Sequence, residues 1–196
     1  MYNNKAVITE PKWKRWVVET TKPIFTPKLC QEIIDLSKTL SQENGTIFED
    51  KNTNNDLGRK STVSFLPFDK MQPMYNDINN FIQKTNRNYF GFGDIQIREQ
   101  AQITEYLKGD FYNWHTDTSL DMDKEPPVRK LSMTLLLNDP SEFEGGELQI
   151  AGTKNTQLMK QGYATIFTSF LQHQVTPVTK GVRRSLVMWF GGEPFK

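Results

Sequence analysis

The feature that most constrains this chain is a change of hydrophobic period near Phe92. Before it, apolar residues recur at helical spacing; beyond it, they alternate. Five strand-like runs follow: DIQIREQAQITEY, KLSMTLLLN, GELQIAG, YATIFTS and RRSLVMWF, set apart by turn signals such as Glu144, Gly145 and Gly146. Short strands spaced in this way predict an antiparallel sandwich or barrel.

Two helices are predicted ahead of the strands. The first starts at Thr26, a capping residue followed by Pro27, where a missing N–H costs nothing. Leu29, Ile33, Leu36 and Leu40 carry it forward until the pattern stops near Gly45. The second covers roughly Met71 to Lys84, with Met74, Ile78 and Phe81 or Ile82 on one stripe. Between them, NGTIFEDKNTNNDLGRK reads as a loop. Helices first and strands later predict a mainly β fold with flanking α-helices. One domain is expected over 1–196, with 1–92 a helical and mixed support region and 93–196 the β core carrying the site.

The first run separates its two faces by polarity. Ile95, Ile97, Ala101 and Ile103 point one way, while Gln96, Arg98, Gln100, Gln102, Thr104 and Tyr106 point the other. The polar side either lines a barrel interior or faces water.

Charge and cysteine content narrow the function classes. A net charge of +1 with no long run of either sign leaves no clustered basic face for nucleic acid. PKWKRW, with Lys12, Lys14 and Arg15 between Trp13 and Trp16, is too short to follow a phosphate backbone and reads as a solvated edge. The only cysteine, Cys30, is expected to be buried, and its solitude fits a reducing cytoplasm. No signal-peptide h-region and no apolar stretch of membrane-spanning length is found, so a cytoplasmic protein without membrane partners is expected.

The chain has two histidines, His115 and His173. His115 opens HTD, and residues two apart on an extended chain share a side, so His115 and Asp117 can grip one ion at a strand end. Imidazole plus carboxylate suits iron, manganese or zinc; two histidines and one carboxylate on one face of an octahedron leave three sites open, two for a bidentate 2-oxo acid and one for dioxygen. His173 stands in HQVTPVTKGVRRS, 58 positions later, room enough for strands to return to the same mouth. Ten residues beyond it comes Arg183, with Ser185 on the same strand face; a planar guanidinium matches the two oxygens of a carboxylate. Tyr106, on the polar face, can add a hydroxyl.

Together YLKGDFYNWHTD, RKLSMTLLLNDPSEFEGGELQI and HQVTPVTKGVRRSLVMW resemble the prolyl 4-hydroxylase branch of the iron(II)- and 2-oxoglutarate-dependent oxygenases, most of all the small versions encoded by marine tailed phages. The resemblance is dense from Gln96 to Trp189 and looser before, where GRKSTVSFLP and the helices fit in kind. It implies a double-stranded β-helix, a cupin-like jelly roll, with the site at its mouth. By the same carry-over, His115, Asp117 and His173 ligate iron. Arg183, with Tyr106 and Ser185, binds the C5 carboxylate of 2-oxoglutarate; from their strand faces alone, Gln102 on the polar face and Leu136 and Thr134 on the inward face are expected to flank the cosubstrate. Collagen-type prolyl hydroxylases carry lysine where this chain has Arg183, which keeps the cosubstrate but weakens the link to collagen-like substrates.

The activity so implied is hydroxylation of a C–H bond, of a prolyl residue in a peptide or protein, with release of succinate and carbon dioxide and with ascorbate as reductant. Asp117, a carboxylate ligand, leaves no vacancy for halide and favours hydroxylation over halogenation. An oxygenase acting on a free amino acid, a small metabolite or a nucleobase is the alternative, and a non-catalytic jelly-roll metal-binding module is the third reading. TSLDMDKEPPVRK, residues 118–130, reads as a lid or an exposed connection. Trp114 and Trp189 are expected to be core walls, Arg184 to be solvated, and Tyr112 to pack or to contact substrate.

Overall fold

A computed structural model describes residues 15–45, 58–118, 128–153 and 159–193. Two sheets face each other across the site. The larger one joins β1 (Val17–Glu19), β11 (Ala164–Thr168), β8 (Val128–Leu136), β14 (Arg183–Gly192), β6 (Ala101–Tyr106), β4 (Thr62–Leu66) and β2 (Glu43–Asn44) in that order, with β5 (Ile95–Ile97) also paired to β14. The smaller sheet runs β10 (Leu148–Ile150), β12 (His173–Val175), β7 (Phe111–His115), β3 (Arg59–Lys60). A short ladder joins β13 (Val178–Gly181) to β9 (Phe143–Gly145), and every pairing is antiparallel.

The helices cover the outer face of the larger sheet. α1 (Pro27–Ser37) starts as expected: Thr26 accepts a hydrogen bond from the Leu29 N–H at 3.2 Å, and Pro27 follows. It stops at Ser37, well short of Gly45. The Ser37 and Thr39 hydroxyls bond back to the Ile34 and Leu36 carbonyls at 2.7 and 2.8 Å, competing for the acceptors that another turn would need. Its buried face is Cys30, Ile33, Ile34 and Ser37, while Leu29, Leu36 and Leu40 sit at the margin of the core. α2 (Gln72–Thr85) buries Met74, Tyr75, Ile78 and Ile82 and runs into a π-turn over Asn86–Phe90.

Both helices meet the alternate residues of the sheet: Ile95, Ala101, Ile103, Leu131, Met133, Leu135, Leu186, Met188 and Phe190. This continuous apolar layer leaves the opposite residues of the same strands to face the smaller sheet. The run DIQIREQAQITEY breaks into β5 and β6, and the predicted faces persist within β6, whereas Gln96, Arg98 and Gln100 do not line the interior and Glu99 does. Ile95, Ala101 and Ile103 lie under the helices, and Gln102, Thr104 and Tyr106 line the interior. A second apolar cluster, of Tyr106, Leu148, Ile150, Phe167, Val175 and Val178, packs between the sheets below the site.

Strands before residue 93 complete both sheets: β1, β2 and β4 join the larger and β3 the smaller. Arg59 and Lys60, expected in a loop, depart from that reading, since they pair with Tyr112 and Phe111 of β7. Residues 46–57 of that loop and 119–127 of the lid candidate lie outside the described residues.

Candidate active site and metal centre

His115 ends β7, His173 opens β12, and the two face each other as cross-strand partners. The next pair in the ladder is Val175 with Tyr112, so β7 spends one more residue than β12 over the same interval. That extra residue is a β-bulge, which restores a shared face to residues three apart. Tyr112 and His115 therefore both point into the interior and stack, centroids 3.5 Å apart and planes 10° from parallel. Trp114, in the bulge, emerges at the cavity rim 48% exposed, so it is not the core wall the sequence suggested.

Each histidine is oriented by its own strand. Nδ1 of His115 lies 2.8 Å from the Asn113 carbonyl, and Nδ1 of His173 lies 3.0 Å from the Leu171 carbonyl. A carbonyl only accepts, so both Nδ1 atoms carry a proton, and each Nε2 is the atom that can ligate when the ring is neutral. Those Nε2 atoms stand 3.6 and 3.5 Å from Oδ1 and Oδ2 of Asp117. One donor atom from each of the three lies within 4.8 Å of the others. Three converging donors, two neutral nitrogens and one carboxylate, fit a divalent first-row metal with open positions.

Asp117 is fixed from the larger sheet. Its N–H donates to the Ser169 carbonyl at 2.9 Å, and its Oδ2 accepts from the Ser132 hydroxyl at 2.6 Å. Burial pushes the Asp117 carboxyl up, while the imidazoles of His173 and His115, when charged, and the Ser132 hydroxyl pull it down, and the balance lies below the usual carboxylate range. Burial pushes His173 down, against the pull of Asp117, which favours the neutral ligand form. Ser132 and Ser169, whose hydroxyls are 3.0 Å apart, were missed in the sequence. The polar alternation that flagged Gln102 and Thr104 was also there in Ser132 and Thr134 of KLSMTLLLN.

Arg183 opens β14 opposite Tyr106, its guanidinium 5.4 Å from the Tyr106 ring centre. It is 3% exposed, donates from Nη1 to the Ser185 hydroxyl at 3.0 Å, and leaves Nε without a partner among the described residues. No carboxylate of the described residues forms an ion pair with it. A Cβ on Gly146 would come within 2.8 Å of Arg183 Cδ, so the glycine pair read as a turn signal also makes room for this side chain. A buried cation costs several kcal/mol unless an anion joins it. A carboxylate in this cavity would supply that anion, and 2-oxoglutarate carries one that fits.

The triad and Arg183 share one cavity of about 510 Å³, lined also by Tyr106, Ser185, Gln102, Thr104 and Thr134. Gln102 donates to Thr104 at 2.7 Å. Leu136 is buried one step further along its strand and does not line the cavity. Trp189 is buried but lines it, with the Arg129 guanidinium 3.9 Å over its ring. Arg129 in turn forms a two-pronged ion pair with Glu99 and donates to the Asp117 carbonyl at 3.3 Å. Arg184 is not simply solvated: it pairs with Glu105 across the outer face at 2.7 Å. Cys30 is fully buried, as expected.

Residues 101–191 match the model of the 2OG-Fe(II) oxygenase superfamily. That stretch runs from β6 through most of β14 and holds the triad, Arg183, Tyr106 and Ser185. A PKHD-type hydroxylase of Shewanella sp. (strain ANA-3) is 39% identical over 90 residues, which are 44% of this chain and 40% of that protein. A PKHD-type hydroxylase of Synechococcus sp. (strain JA-3-3Ab) is 36% identical over the same shares. The chain thus spans about two fifths of the length of the curated relatives it matches. Among solved structures, the viral collagen prolyl hydroxylase of Paramecium Bursaria Chlorella virus-1, in a 2OG complex, superposes with a TM-score of 0.71 at 16% identity, over 91% of this chain and 97% of that one. A Pseudomonas putida prolyl-4-hydroxylase gives 0.68 at 17% identity, over 91% and 94%. The fold is the double-stranded β-helix of these proteins. No described helix is long and apolar enough to cross a membrane.

Proposed function

We propose that the chain is an Fe(II)- and 2-oxoglutarate-dependent dioxygenase that hydroxylates a C–H bond, with a prolyl residue of a peptide or protein as substrate. The observation that carries the reading is the pairing, in one cavity, of a three-donor metal set with a buried arginine that has no ion-pair partner among the described residues. A jelly-roll metal-binding module would need the first and not the second. The prolyl substrate is supported by the fold shared with prolyl hydroxylases, one of them, from Trichoplax adhaerens, in complex with a hypoxia inducible factor peptide (TM-score 0.69).

Bound together, iron and 2-oxoglutarate supply the oxidation of an unactivated C–H bond, with succinate and carbon dioxide as coproducts. The chain supplies position and polarity. His115, Asp117 and His173 would hold the metal, two imidazole nitrogens and a carboxylate being a donor set that suits iron. Arg183 takes the far carboxylate in its fork, Ser185 and Tyr106 flank it, and the apolar layer of Phe167, Leu148 and Val175 beneath keeps bulk water out. Asp117, held ionised, balances part of the metal's charge.

The test is anaerobic addition of Fe(II) and 2-oxoglutarate, observation of the weak visible charge-transfer band, then admission of oxygen with ascorbate and proline-containing peptides while succinate is measured. The band and peptide-dependent succinate are expected. Absence of the band from folded, metal-loaded protein overturns the cofactor assignment; succinate driven only by free amino acids overturns the peptide substrate.

A further inference from the structure

We infer that Tyr112 is a positioning residue for the iron ligand His115, held in place by a stack that begins at Gly45 on the far side of the smaller sheet's edge. The inference rests on the iron site proposed above. Four observations line up. Tyr112 lies against the His115 ring at 3.5 Å and 10°. Arg59 covers Tyr112, its guanidinium carbon 4.4 Å from the ring centre. Arg59 is only 7% exposed, and its Nε donates to the Ser61 hydroxyl at 2.8 Å. A Cβ on Gly45 would fall 2.5 Å from that Nε and 2.4 Å from the Ser61 oxygen, so the glycine backbone closes directly over the pair.

The need for such a stack follows from where His115 sits. His173 is clamped by the edge of Phe167, centroids 4.6 Å apart, deep in the layer between the sheets. His115 lies beside a bulge and next to the exposed Trp114, where the ladder to β12 shifts register. Its Nδ1 hydrogen bond to Asn113 restrains the ring in its own plane but leaves it free to tilt on the side away from His173, whose ring lies 4.1 Å off at 53°. A flat wall parallel to the imidazole removes this freedom and aims Nε2 at the point shared with Asp117 and His173. The wall must itself be rigid, and Arg59 on its other face provides that through a cation–π contact. The bulge supplies the geometry: without the extra residue in β7, Tyr112 and His115 would point to opposite sides.

Replacement of a group that orients a metal ligand lowers metal affinity about 10–100-fold. Titration of the full chain with Co(II), an oxygen-stable probe of the Fe(II) site, reads this directly, alongside the ligand-field spectrum and the melting temperature of the metal-free protein. Tyr112→Phe keeps the wall, so Co(II) affinity within about threefold of wild type is expected. Tyr112→Leu removes it, so affinity at least about tenfold weaker and an altered spectrum are expected, with little change in the metal-free melt. Arg59→Met, which leaves Tyr112 in place but unbraced, should fall between the two and serves as the second variant if Tyr112→Leu does not fold. Equal affinity and an identical spectrum in Tyr112→Leu, or in Arg59→Met where that is the variant measured, overturn the inference. Failure of wild type to bind Co(II) at all overturns the iron site itself.

Discussion

His115 and His173 face each other as direct cross-strand partners, and each donates its Nδ1 proton to the carbonyl two residues before it. The two imidazoles are thus presented by equivalent local devices on adjacent antiparallel strands, one at a strand's end and the other at a strand's beginning. A ligand pair built this way does not depend on the mobile ends of long side chains. Removing either ring should abolish tight iron binding while the sheet persists. In His115→Ala and His173→Ala, equilibrium dialysis with Fe(II) under argon is expected to show affinity lost by at least about tenfold, with unchanged far-ultraviolet dichroism. Wild-type affinity in His115→Ala would remove it from the ligand set.

Arg183 carries the opposite expectation, because it lies in the same cavity but belongs to the cosubstrate. Deleting one partner of a buried charge pair costs about 2–5 kcal/mol. Arg183→Met should therefore raise the 2-oxoglutarate concentration needed for turnover more than tenfold and leave Fe(II) affinity near wild type. Arg183→Lys keeps the charge but loses the fork toward Ser185, and an intermediate requirement is expected from steady-state assays. Parallel losses of iron and 2-oxoglutarate binding would assign Arg183 to general structure instead.

The donor set was legible in the sequence because it is local or punctuated: HTD needs only the alternation of an extended chain, and the second histidine and Arg183 sit around a turn. The faces of β6 were legible for the same reason, as polarity alternates over consecutive residues. What could not be read is whatever depends on a break in alternation. Tyr112 and His115 are three apart and would be assigned to opposite faces; only the bulge aligns them. Arg129 shows the same effect. The ladder between β8 and β14 shifts register between Phe190 and Gly191, so Arg129, three before Ser132, also reaches the interior. Long-range pairing was equally silent, since Arg59 meets Tyr112 only because β3 adds to the edge of the smaller sheet.

Cys30 gives a pH dependence separate from the site. Burial pushes its thiol up from 9.0 to about 11, with its own backbone amide opposing. The unfolded chain therefore loses this proton first, and between those values the native state holds one proton more. Stability must fall as pH rises through that window, by about 1.4 kcal/mol per pH unit from this group. Tyr112, pushed up to about 12 chiefly by burial, adds a loss of the same sign above pH 10. Urea unfolding of wild type and Cys30→Ala from pH 8 to 11 checks it: the variant is expected to show the shallower decline. Identical slopes would place the thiol's native and unfolded affinities for the proton together.

Ser132 tests whether the larger sheet tunes the metal held by the smaller one. Its hydroxyl donates to Asp117 Oδ2 at 2.6 Å and lies 3.0 Å from the Ser169 hydroxyl, a relay linking β8 and the turn after β11 to the carboxylate. The donor does two things at once: it fixes which carboxylate oxygen remains for the metal, and it helps hold Asp117 ionised against its burial. Ser132→Ala removes both effects and leaves the fold's apolar layer untouched, since Ser132 lies on the interior face. Partners of this kind typically account for 10–100-fold in metal affinity. The expected result is an Fe(II) dissociation constant raised within that range. Ser132→Thr restores a hydroxyl and should recover part of the affinity. No loss at all would remove it from the site.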